Sequence, residues 1–206
     1  MTKTRYDDFA KGYDPVMKPF EKKWISKWRK TSFFPLKGKI LEIGIGSGAN
    51  LQYYGKSAQV IGIDNSPAML KIARKKLVAS EKINTKIMRM NAAKLRFEDK
   101  SFDYVVTSLI FCSTKNPEKV MQEIHRVLKP KGKAIMLEHV VSSNKGIAFI
   151  QRAINPITKW LIDDNVAYDT RSKLIENGFL IVKEKNLGMG DVFRMFVVKK
   201  AKTRKT

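Results

Sequence analysis

The chain is short of residues that cross-link a fold or bind metal. Cys112 is the only cysteine among 206 residues, and His125 and His139 are the only histidines. One cysteine excludes an intrachain disulfide, and these three side chains are too few soft ligands for a structural zinc site. We therefore expect no resident metal and a fold that depends on its hydrophobic core.

Long hydrophobic runs are also missing. No apolar stretch approaches the roughly 20 residues that span a bilayer, and the amino terminus lacks the apolar core of a signal peptide. A cytoplasmic location is the default expectation, with peripheral attachment to a membrane as an addition to it. Hydrophobic residues make up 43% of the chain, which is sufficient for one domain that buries about 70% of its unfolded surface.

Negative charge is the third shortage. The chain has 41 Lys and Arg against 19 Asp and Glu, a formal net charge of +22. Such a surface attracts polyanions, either nucleic acid or an anionic membrane face. Lysines spread over a solvated surface would give the same excess with no partner, so composition leaves these interpretations open. Residues 200–206 form a basic tail that we expect to be disordered.

A glycine-rich turn between two apolar runs is the most informative feature present. The segment 40–50 reads ILEIGIGSGAN and contains Gly44, Gly46 and Gly48, and the next apolar run, VIGID, ends at Asp64. Glycines permit a tight turn whose backbone can approach a ligand closely. In a doubly wound sheet the carboxyl ends of neighbouring strands open into one crevice, where Asp64 would suit a ribose diol. The pattern predicts a nucleoside-containing cofactor.

The glycine motif does not by itself identify that cofactor. Gly44, Gly46 and Ala49 also satisfy G-x-G-x-x-G/A, which fits a dinucleotide. Glu42, however, would repel a pyrophosphate and attract a cationic amine. The chain is too short for a separate substrate domain, and it contains no Tyr-x-x-x-Lys motif. These features favour S-adenosylmethionine (SAM), with S-adenosylhomocysteine as product.

Four motifs in order resemble those of a known enzyme family. The glycine motif is followed by VIGIDNSPAML at 60–70, MNAAKLRFEDKSFDYVV at 90–106 and HRVLKPKG at 125–132. From about residue 38 to 140 the chain resembles a class I SAM-dependent methyltransferase of the type 11, ubiquinone-menaquinone-methyltransferase-like group. The resemblance implies an α/β fold: a Rossmann-like, seven-stranded, mostly parallel sheet with helices on both faces and a reversed C-terminal β-hairpin.

Two further segments resemble a narrower branch of that family. SLIFCSTKN at 108–116 and MLEHV at 136–140 resemble segments of the alkyl thiol and phospholipid methyltransferases. This implies a small hydrophobic or lipid-like methyl acceptor: a thiol, a phospholipid amine or a quinone.

Strand and helix patterns alternate along the chain, as a parallel sheet requires. Ser66 before Pro67 and Asn116 before Pro117 predict capped helix starts. We divide the chain into lid helices at 1–37, a methyltransferase domain at 38–199 with a substrate insert at 141–168, and the tail at 200–206. Strands are predicted at 39–43, 59–63, 85–90, 102–108, 133–138, 180–184 and 192–198, and helices at 49–54, 67–78, 117–128, 147–162 and 170–177.

The predicted lid contains a basic amphipathic segment. Phe20, Trp24 and Trp28 recur every four residues within 16–30, and lysines and arginines occupy much of the remaining surface. At helical pitch the three rings form one stripe. A basic helix that bears tryptophan is typical of a membrane interface, but the stripe equally suits a helix that packs on the sheet and covers the active site. Both hypotheses stay open.

The resemblance also implies cofactor contacts, at the carboxyl ends of the first four strands. The backbone amides of 46–49 suit the methionine carboxylate, and Asp64 the ribose hydroxyls. Asn91 could instead cap a turn, and Glu42 could belong to a structural hydrogen-bond network. The expected cofactor residues are Glu42, Gly44, Gly46, Gly48, Asp64, Asn65 and Met69 beside the adenine, Asn91 and Ala92 at its edge, and Ser108 at the floor.

Catalysis of methyl transfer needs in-line positioning and, for some acceptors, removal of a proton. We expect His139, Glu138 and Tyr13 as catalytic residues, with His139 as a general base or as a ligand of a phosphate head group. A rim histidine bonded to a backbone carbonyl is the structural alternative. The expected substrate-pocket residues are Tyr6, Cys112 and Trp160.

Two other functions remain open on the sequence. The net charge favours an RNA methyltransferase, although no Asn-Pro-Pro-Tyr or Asp-Pro-Pro-Tyr motif occurs, and one cysteine cannot supply the catalytic pair of C5 methylation. A SAM-binding regulatory protein without turnover would keep the same glycine turn.

Overall fold

The computed structural model describes residues 5–20, 25–80, 84–162, 165–188 and 190–201. Within these ranges the helices are α1 (Arg5–Phe20), α2 (Ser26–Phe33), α3 (Pro67–Ala79), α4 (Pro117–Val127), α5 (Lys145–Ile162) and α6 (Thr170–Glu176), and a 3-10 helix spans Leu51–Tyr53. The strands are β1 (Gly38–Ile43), β2 (Ala58–Asp64), β3 (Thr85–Arg89), β4 (Phe102–Ser108), β5 (Leu128–His139), β6 (Phe179–Gly188) and β7 (Phe193–Lys200).

All seven strands belong to one sheet, in the order β3-β2-β1-β4-β5-β7-β6. The pairs among β1 to β5 are parallel, and β7 runs antiparallel to both β5 and β6. This confirms the predicted fold class, including the reversed hairpin at the carboxyl end. Because the strand order reverses between β1 and β4, the crevice for a ligand opens at the carboxyl ends of these two strands.

The central strands are apolar because helices cover both faces of the sheet. On one face, Met121 and Ile124 of α4 pack with Leu41 and Val105 in a fully buried cluster. On the other face, Phe33 of α2 belongs to a second cluster that includes Ile40 and Tyr54. Each such side chain contributes roughly 1.5–3 kcal/mol by burial. The sheet therefore holds its carboxyl edge rigidly, and the loops of the site start there.

The observed ends of helices and strands agree with the predicted ends in some places and differ in others. Ser66 caps α3, because its Oγ accepts the N–H of Met69, and this prediction is confirmed. α4 starts at Pro117 with Asn116 as its N-cap residue, which confirms the predicted start, but the Asn116 side chain makes no cap hydrogen bond. The helix expected at 49–54 is reduced to one 3-10 turn, since the glycine turn before it runs on to Asn50. β5 begins five residues earlier than predicted because Leu128 already pairs with Phe102.

The amino-terminal segment forms two described helices, α1 and α2. The intervening residues 21–24, which include Trp24, and the side chain of Phe20 lie outside the described residues. Trp28 of α2 is half-buried, and Lys185 Nζ of β6 lies 4.0 Å from its ring centroid. This end of the predicted stripe therefore packs on the sheet domain. Among the described helices, none has the length and hydropathy needed to cross a membrane.

Candidate cofactor and acceptor site

The glycine turn follows the carboxyl end of β1 and is hydrogen-bonded to the carboxyl end of β2. The N–H groups of Gly44 and Ile45 both donate to Ile63 O, at 2.8 and 3.0 Å. Gly44 has a φ of +70°, and a Cβ there would lie 2.4 Å from Ile110 Cγ2. Gly46 has a φ of +54°, but the nearest atom to its hypothetical Cβ is Gly44 O at 3.9 Å. Gly44 is thus required for packing, whereas Gly46 presents open space to a ligand.

Asp64 and the glycine turn are brought together as predicted. The Asp64 carboxylate accepts the N–H of Gly46 through Oδ2 and the N–H of Ser66 through Oδ1, both at 2.9 Å. Burial raises the pKa of Asp64, and these backbone donors oppose that rise. Next to it, Asn65 Oδ1 is buried and accepts no hydrogen bond from the described residues. A buried acceptor of this kind is costly unless a ligand satisfies it.

Glu42 lies directly below the turn and is 1% exposed. Its Oε1 accepts from Asn50 Nδ2 at 2.7 Å, and its Oε2 accepts from the Tyr54 hydroxyl at 2.9 Å. Asn50 also donates to Ser108 Oγ and accepts from the Arg29 guanidinium of α2. Burial raises the pKa of Glu42 to about 7. The structural network considered for Glu42 is therefore present. Ser108 was predicted at the floor of the cofactor site, whereas Arg29, Asn50 and Tyr54 were not predicted as site residues, although Asn50 ends the glycine motif.

Two carboxylates of α1 hydrogen-bond to the glycine turn and to the start of α3. Asp7 Oδ1 accepts from Ser66 Oγ at 2.6 Å and from the N–H of Ala68 at 3.2 Å, in the first turn of α3. Asp14 accepts from Ser47 Oγ at 2.5 Å and pairs with Lys76 Nζ at 2.5 Å. α1 therefore lies across the glycine turn. Sequence reasoning missed both aspartates, whose partners are distant in the chain.

The residues expected beside the adenine occupy varied positions. Asn91 is exposed, and its Oδ1 accepts the N–H of Ala93 at 2.9 Å, so it caps a turn as the alternative proposed. Ala92 is half-buried against the core. Met69 is 2% exposed. A role for these residues in adenine binding stays a prediction.

Glu138 faces the protein interior and is 1% exposed. Its Oε1 accepts from Thr107 Oγ1 at 2.6 Å, and its Oε2 accepts the N–H groups of Ile110 and Phe111 at 3.0 and 3.3 Å. These bonds hold the loop after β4, where Leu109 has a φ of +57°, a strained value for a bulky residue. The geometry corrects our expectation: Glu138 positions this loop rather than contacting an acceptor.

His139 ends β5 and is half-buried, with its ring centroid 5.4 Å from that of Phe193. Cys112 is buried in the loop after β4, and its carbonyl accepts the N–H of Asn165 at 2.7 Å. Because β4 and β5 are neighbours, these residues lie at the same edge of the sheet. This edge forms the candidate acceptor side of the crevice.

The aromatic residues expected near the acceptor are separated. Tyr6 and Tyr13 are half-buried on α1 and meet edge to face, with centroids 6.3 Å apart. Trp160 is 75% exposed on α5, so the structure does not enclose it in a pocket. That pocket assignment is corrected, because the helix turns this side outwards.

The opposite edge of the sheet has a cleft of about 410 Å³, lined by Gly38, Asp103 and Lys129 among others. It lies at the amino ends of the strands, and Lys129 Nζ already pairs with Asp103 at 2.7 Å. The cleft has three lysines against this one aspartate, and ligands of open α/β sheets bind at the carboxyl ends of the strands, so we place the site at the carboxyl edge. In the part of the chain that the structure describes, no three His, Cys, Asp or Glu residues are grouped to hold a metal.

Comparison with known proteins gives the same class of enzyme. Residues 41–136 match a family model described as a methyltransferase domain. Thiol S-methyltransferase TMT1B of Rattus norvegicus is 34% identical over 127 residues, which cover 60% of this chain and 52% of that protein. Phosphatidylethanolamine N-methyltransferase of Cereibacter sphaeroides is 31% identical over 146 residues, 68% of this chain and 72% of the relative. The chain thus spans about half the length of the thiol S-methyltransferase and 72% of the phosphatidylethanolamine N-methyltransferase.

Solved structures agree on the fold. The methyltransferase in the complex with the Haloferax volcanii Trm112 methyltransferase activator has a TM-score of 0.77 at 16% identity, covering 98% of this chain and 100% of that one. The chain belongs to the class I SAM-dependent methyltransferases, and its methyl donor is SAM. The open face of Gly46, the carboxylate of Asp64 and the buried Asn65 oxygen fit this cofactor.

Proposed function

We propose that the chain methylates a small hydrophobic or lipid-like acceptor: a thiol, a phospholipid amine or a quinone. The observation that carries the proposal is its similarity to enzymes named for a thiol and for phosphatidylethanolamine. SAM supplies a methyl group on a sulfonium, which is already a good leaving group. The tasks left to the protein are to position both partners, to exclude water and to accept a proton where the acceptor has one.

The positions of side chains support a division of these tasks. Gly46 and Asp64 would hold the donor, and α1 would cover it through Asp14. Glu138 keeps the loop after β4 in one conformation, and that loop carries Cys112 at the acceptor side. His139 follows Glu138 at the end of β5, so its imidazole lies at this edge of the sheet. It is the candidate general base for a thiol or an amine, and Tyr13 of the lid is the second candidate.

Two further proposals concern the partners of this enzyme. The amino-terminal residues Phe20, Trp24 and Trp28 would contact an anionic membrane surface, although the packing of Trp28 beside Lys185 supports their other role on the sheet. The net charge of +22 favours RNA as an alternative acceptor. A regulatory protein that binds SAM without turnover is the second alternative.

Incubation with methyl-labelled SAM separates these functions. The purified protein is offered an RNA-depleted lipid extract, total RNA and simple thiols, and the label is counted in each fraction. We expect label in the lipid or thiol fraction, loss of that label in Asp64→Ala, and its retention in Asp103→Asn, a carboxylate at the opposite edge. Label confined to RNA would overturn the proposed acceptor class, and SAM binding with no labelled fraction would indicate a regulator.

A second experiment concerns His139. If its imidazole accepts the proton, the methylation rate of the native protein rises with pH through the titration of that group. His139→Gln should lower kcat and flatten this profile, while SAM affinity stays the same. A His139→Gln profile that is parallel to the native one would exclude the general base.

A further inference from the structure

The inner side of α5 is polar or small. Ala148 and Gln151 are its residues that are at least nine-tenths buried in the described part of the helix. Gln151 Oε1 accepts the N–H of Ser142 at 2.8 Å, and Gln151 Nε2 donates to the carbonyl oxygens of Val140 and Val166 at 3.0 and 2.9 Å. The helix is therefore attached to the domain by amide hydrogen bonds more than by apolar packing.

The outer side of α5 is apolar. At 100° per residue, five large hydrophobic side chains fall within an arc of roughly 140°. They form what we term the α5 apolar face: Phe149 (73% exposed), Ile150 (60%), Ile154 (42%), Ile157 (57%) and Trp160 (75%). A surface helix ordinarily turns its apolar stripe towards the core. Here the stripe faces outwards, and an exposed contiguous apolar patch marks an interaction site.

A row of cations borders this face. Lys145, Arg152 and Lys159 are all exposed and follow one another at intervals of seven residues, so they form one line along the helix beside Phe149. The sequence of α5 contains no acidic residue. The partner of this surface should therefore combine an apolar layer with negative charge.

We propose that α5 lies in the interface of an anionic lipid membrane, with the α5 apolar face inserted and the cation row at the lipid phosphates. An outward apolar arc with aromatic residues and a basic border is the pattern of an interfacial helix. A second copy of this chain is the less suitable occupant, because it would bring the same cation row and a further net charge of +22. An anionic bilayer supplies the opposite charge.

This surface is distinct from the amino-terminal residues considered above, and it has a consequence for the acceptor. α5 starts six residues after His139, at the carboxyl edge of the sheet. Docking through α5 would hold that edge close to the bilayer, where a lipid acceptor could enter. The orientation of the acceptor edge rests on the proposed function, whereas membrane binding itself does not.

Cosedimentation with vesicles tests the proposal on the full chain. The vesicles contain phosphatidylcholine alone or phosphatidylcholine mixed with phosphatidylglycerol. We expect binding to the mixed vesicles, and a loss on the order of tenfold in partitioning for the double variant Phe149→Ser, Ile157→Ser. Replacing the three cations by glutamine should reduce binding to the mixed vesicles alone. The matched control is Val78→Ser, Ile175→Ser, which removes two exposed apolar side chains elsewhere and should bind as the native protein does.

Two results would overturn the membrane assignment. Equal binding of the native protein and the Phe149→Ser, Ile157→Ser variant would show that α5 does not insert. A native dimer in solution that this variant converts to a monomer, without vesicle binding, would assign the face to a second copy. Circular dichroism verifies that the variants are folded. Thiol methylation without vesicles is measured separately, so failure of vesicle binding with intact methylation would leave the proposed function standing.

Discussion

The buried carboxyl of Glu42 should make stability depend on pH in a way that Glu42→Gln removes. Burial raises its pKa from 4.5 to about 7, so the folded state binds this proton more tightly than the unfolded chain does. The stabilising contribution is therefore complete below pH 4.5 and is lost as the pH rises through about 7. At 1.36 kcal/mol per pH unit, this gap amounts to roughly 3 kcal/mol.

Glutamine keeps the shape of the Glu42 side chain. Its amide oxygen can accept from Asn50, and its amide nitrogen can donate to the Tyr54 hydroxyl, so the network survives without a titrating group. Urea unfolding of both proteins, from about pH 4.5 to about pH 8, gives the difference in their free energies of unfolding, in which shared titrations cancel. This difference should move in favour of Glu42→Gln by roughly 3 kcal/mol over that range.

A flat difference would refute the reasoning. It would mean that the Glu42 carboxylate stays ionised in the folded protein, because the hydrogen bonds from Asn50 and Tyr54 and the charge of Arg29 lower its pKa enough to offset burial. The control is Glu98→Gln, which removes an exposed carboxyl on a loop and should leave the stability difference nearly independent of pH.

Three other substitutions examine the turn, the loop and the lid. Gly44→Ala places a Cβ 2.4 Å from Ile110 Cγ2 at a φ of +70°. We expect urea unfolding to show a free energy of unfolding lower by about 1–3 kcal/mol, and calorimetry to show weaker SAM binding. Unchanged values would contradict the packing argument. Glu138→Gln weakens the acceptor for the Ile110 N–H and should lower the free energy of unfolding, measured by thermal unfolding, by about 1–3 kcal/mol. An unchanged stability would mean that the loop keeps its conformation without this carboxylate. Asp14→Asn breaks an exposed ion pair with Lys76 that is worth below about 1 kcal/mol. Proteolysis of α1 should therefore become faster while the global stability stays the same. Equal cleavage rates would argue against the contact between α1 and the glycine turn.

The fold was predictable because its signals are local. Continuous apolar runs mark strands that are buried on both faces, and the strand predicted at 102–108 has the observed bounds of β4. Ser66 and Pro67 place the start of α3 correctly. Asn116 and Pro117 also place the start of α4 correctly, but the Asn116 side chain makes no cap hydrogen bond at its φ of −132° and ψ of +66°, a detail that the sequence does not report.

The candidate site was predictable where topology alone assembles it. Gly46 lies in the turn directly after β1, and Asp64 ends the neighbouring parallel strand β2, so any sheet of this order brings them together. Asp7 and Asp14 could not be found in this way, since α1 reaches the turn from outside the sheet. Glu138 was assigned to catalysis from its place near a strand end, but β5 is buried on both faces there, and the bonds of Glu138 to Thr107 and to the loop after β4 appear only in the folded chain.

The sequence by itself contains the periodicity of helices and strands, the glycine turn and the order of the motifs. These are sufficient to predict the methyltransferase fold and a nucleoside-binding crevice at the carboxyl edge of its sheet. The ionisation of buried groups and the direction of each helix face depend on tertiary packing. A sequence pattern identifies an apolar arc or a carboxylate, but it does not show which residues surround them in the fold. The ionisation of Glu42 depends on its burial, which raises its pKa, and on the hydrogen bonds from Asn50 and Tyr54, which oppose that rise. The outward direction of the α5 apolar face depends on the hydrogen bonds that Gln151 makes on the opposite side of the helix.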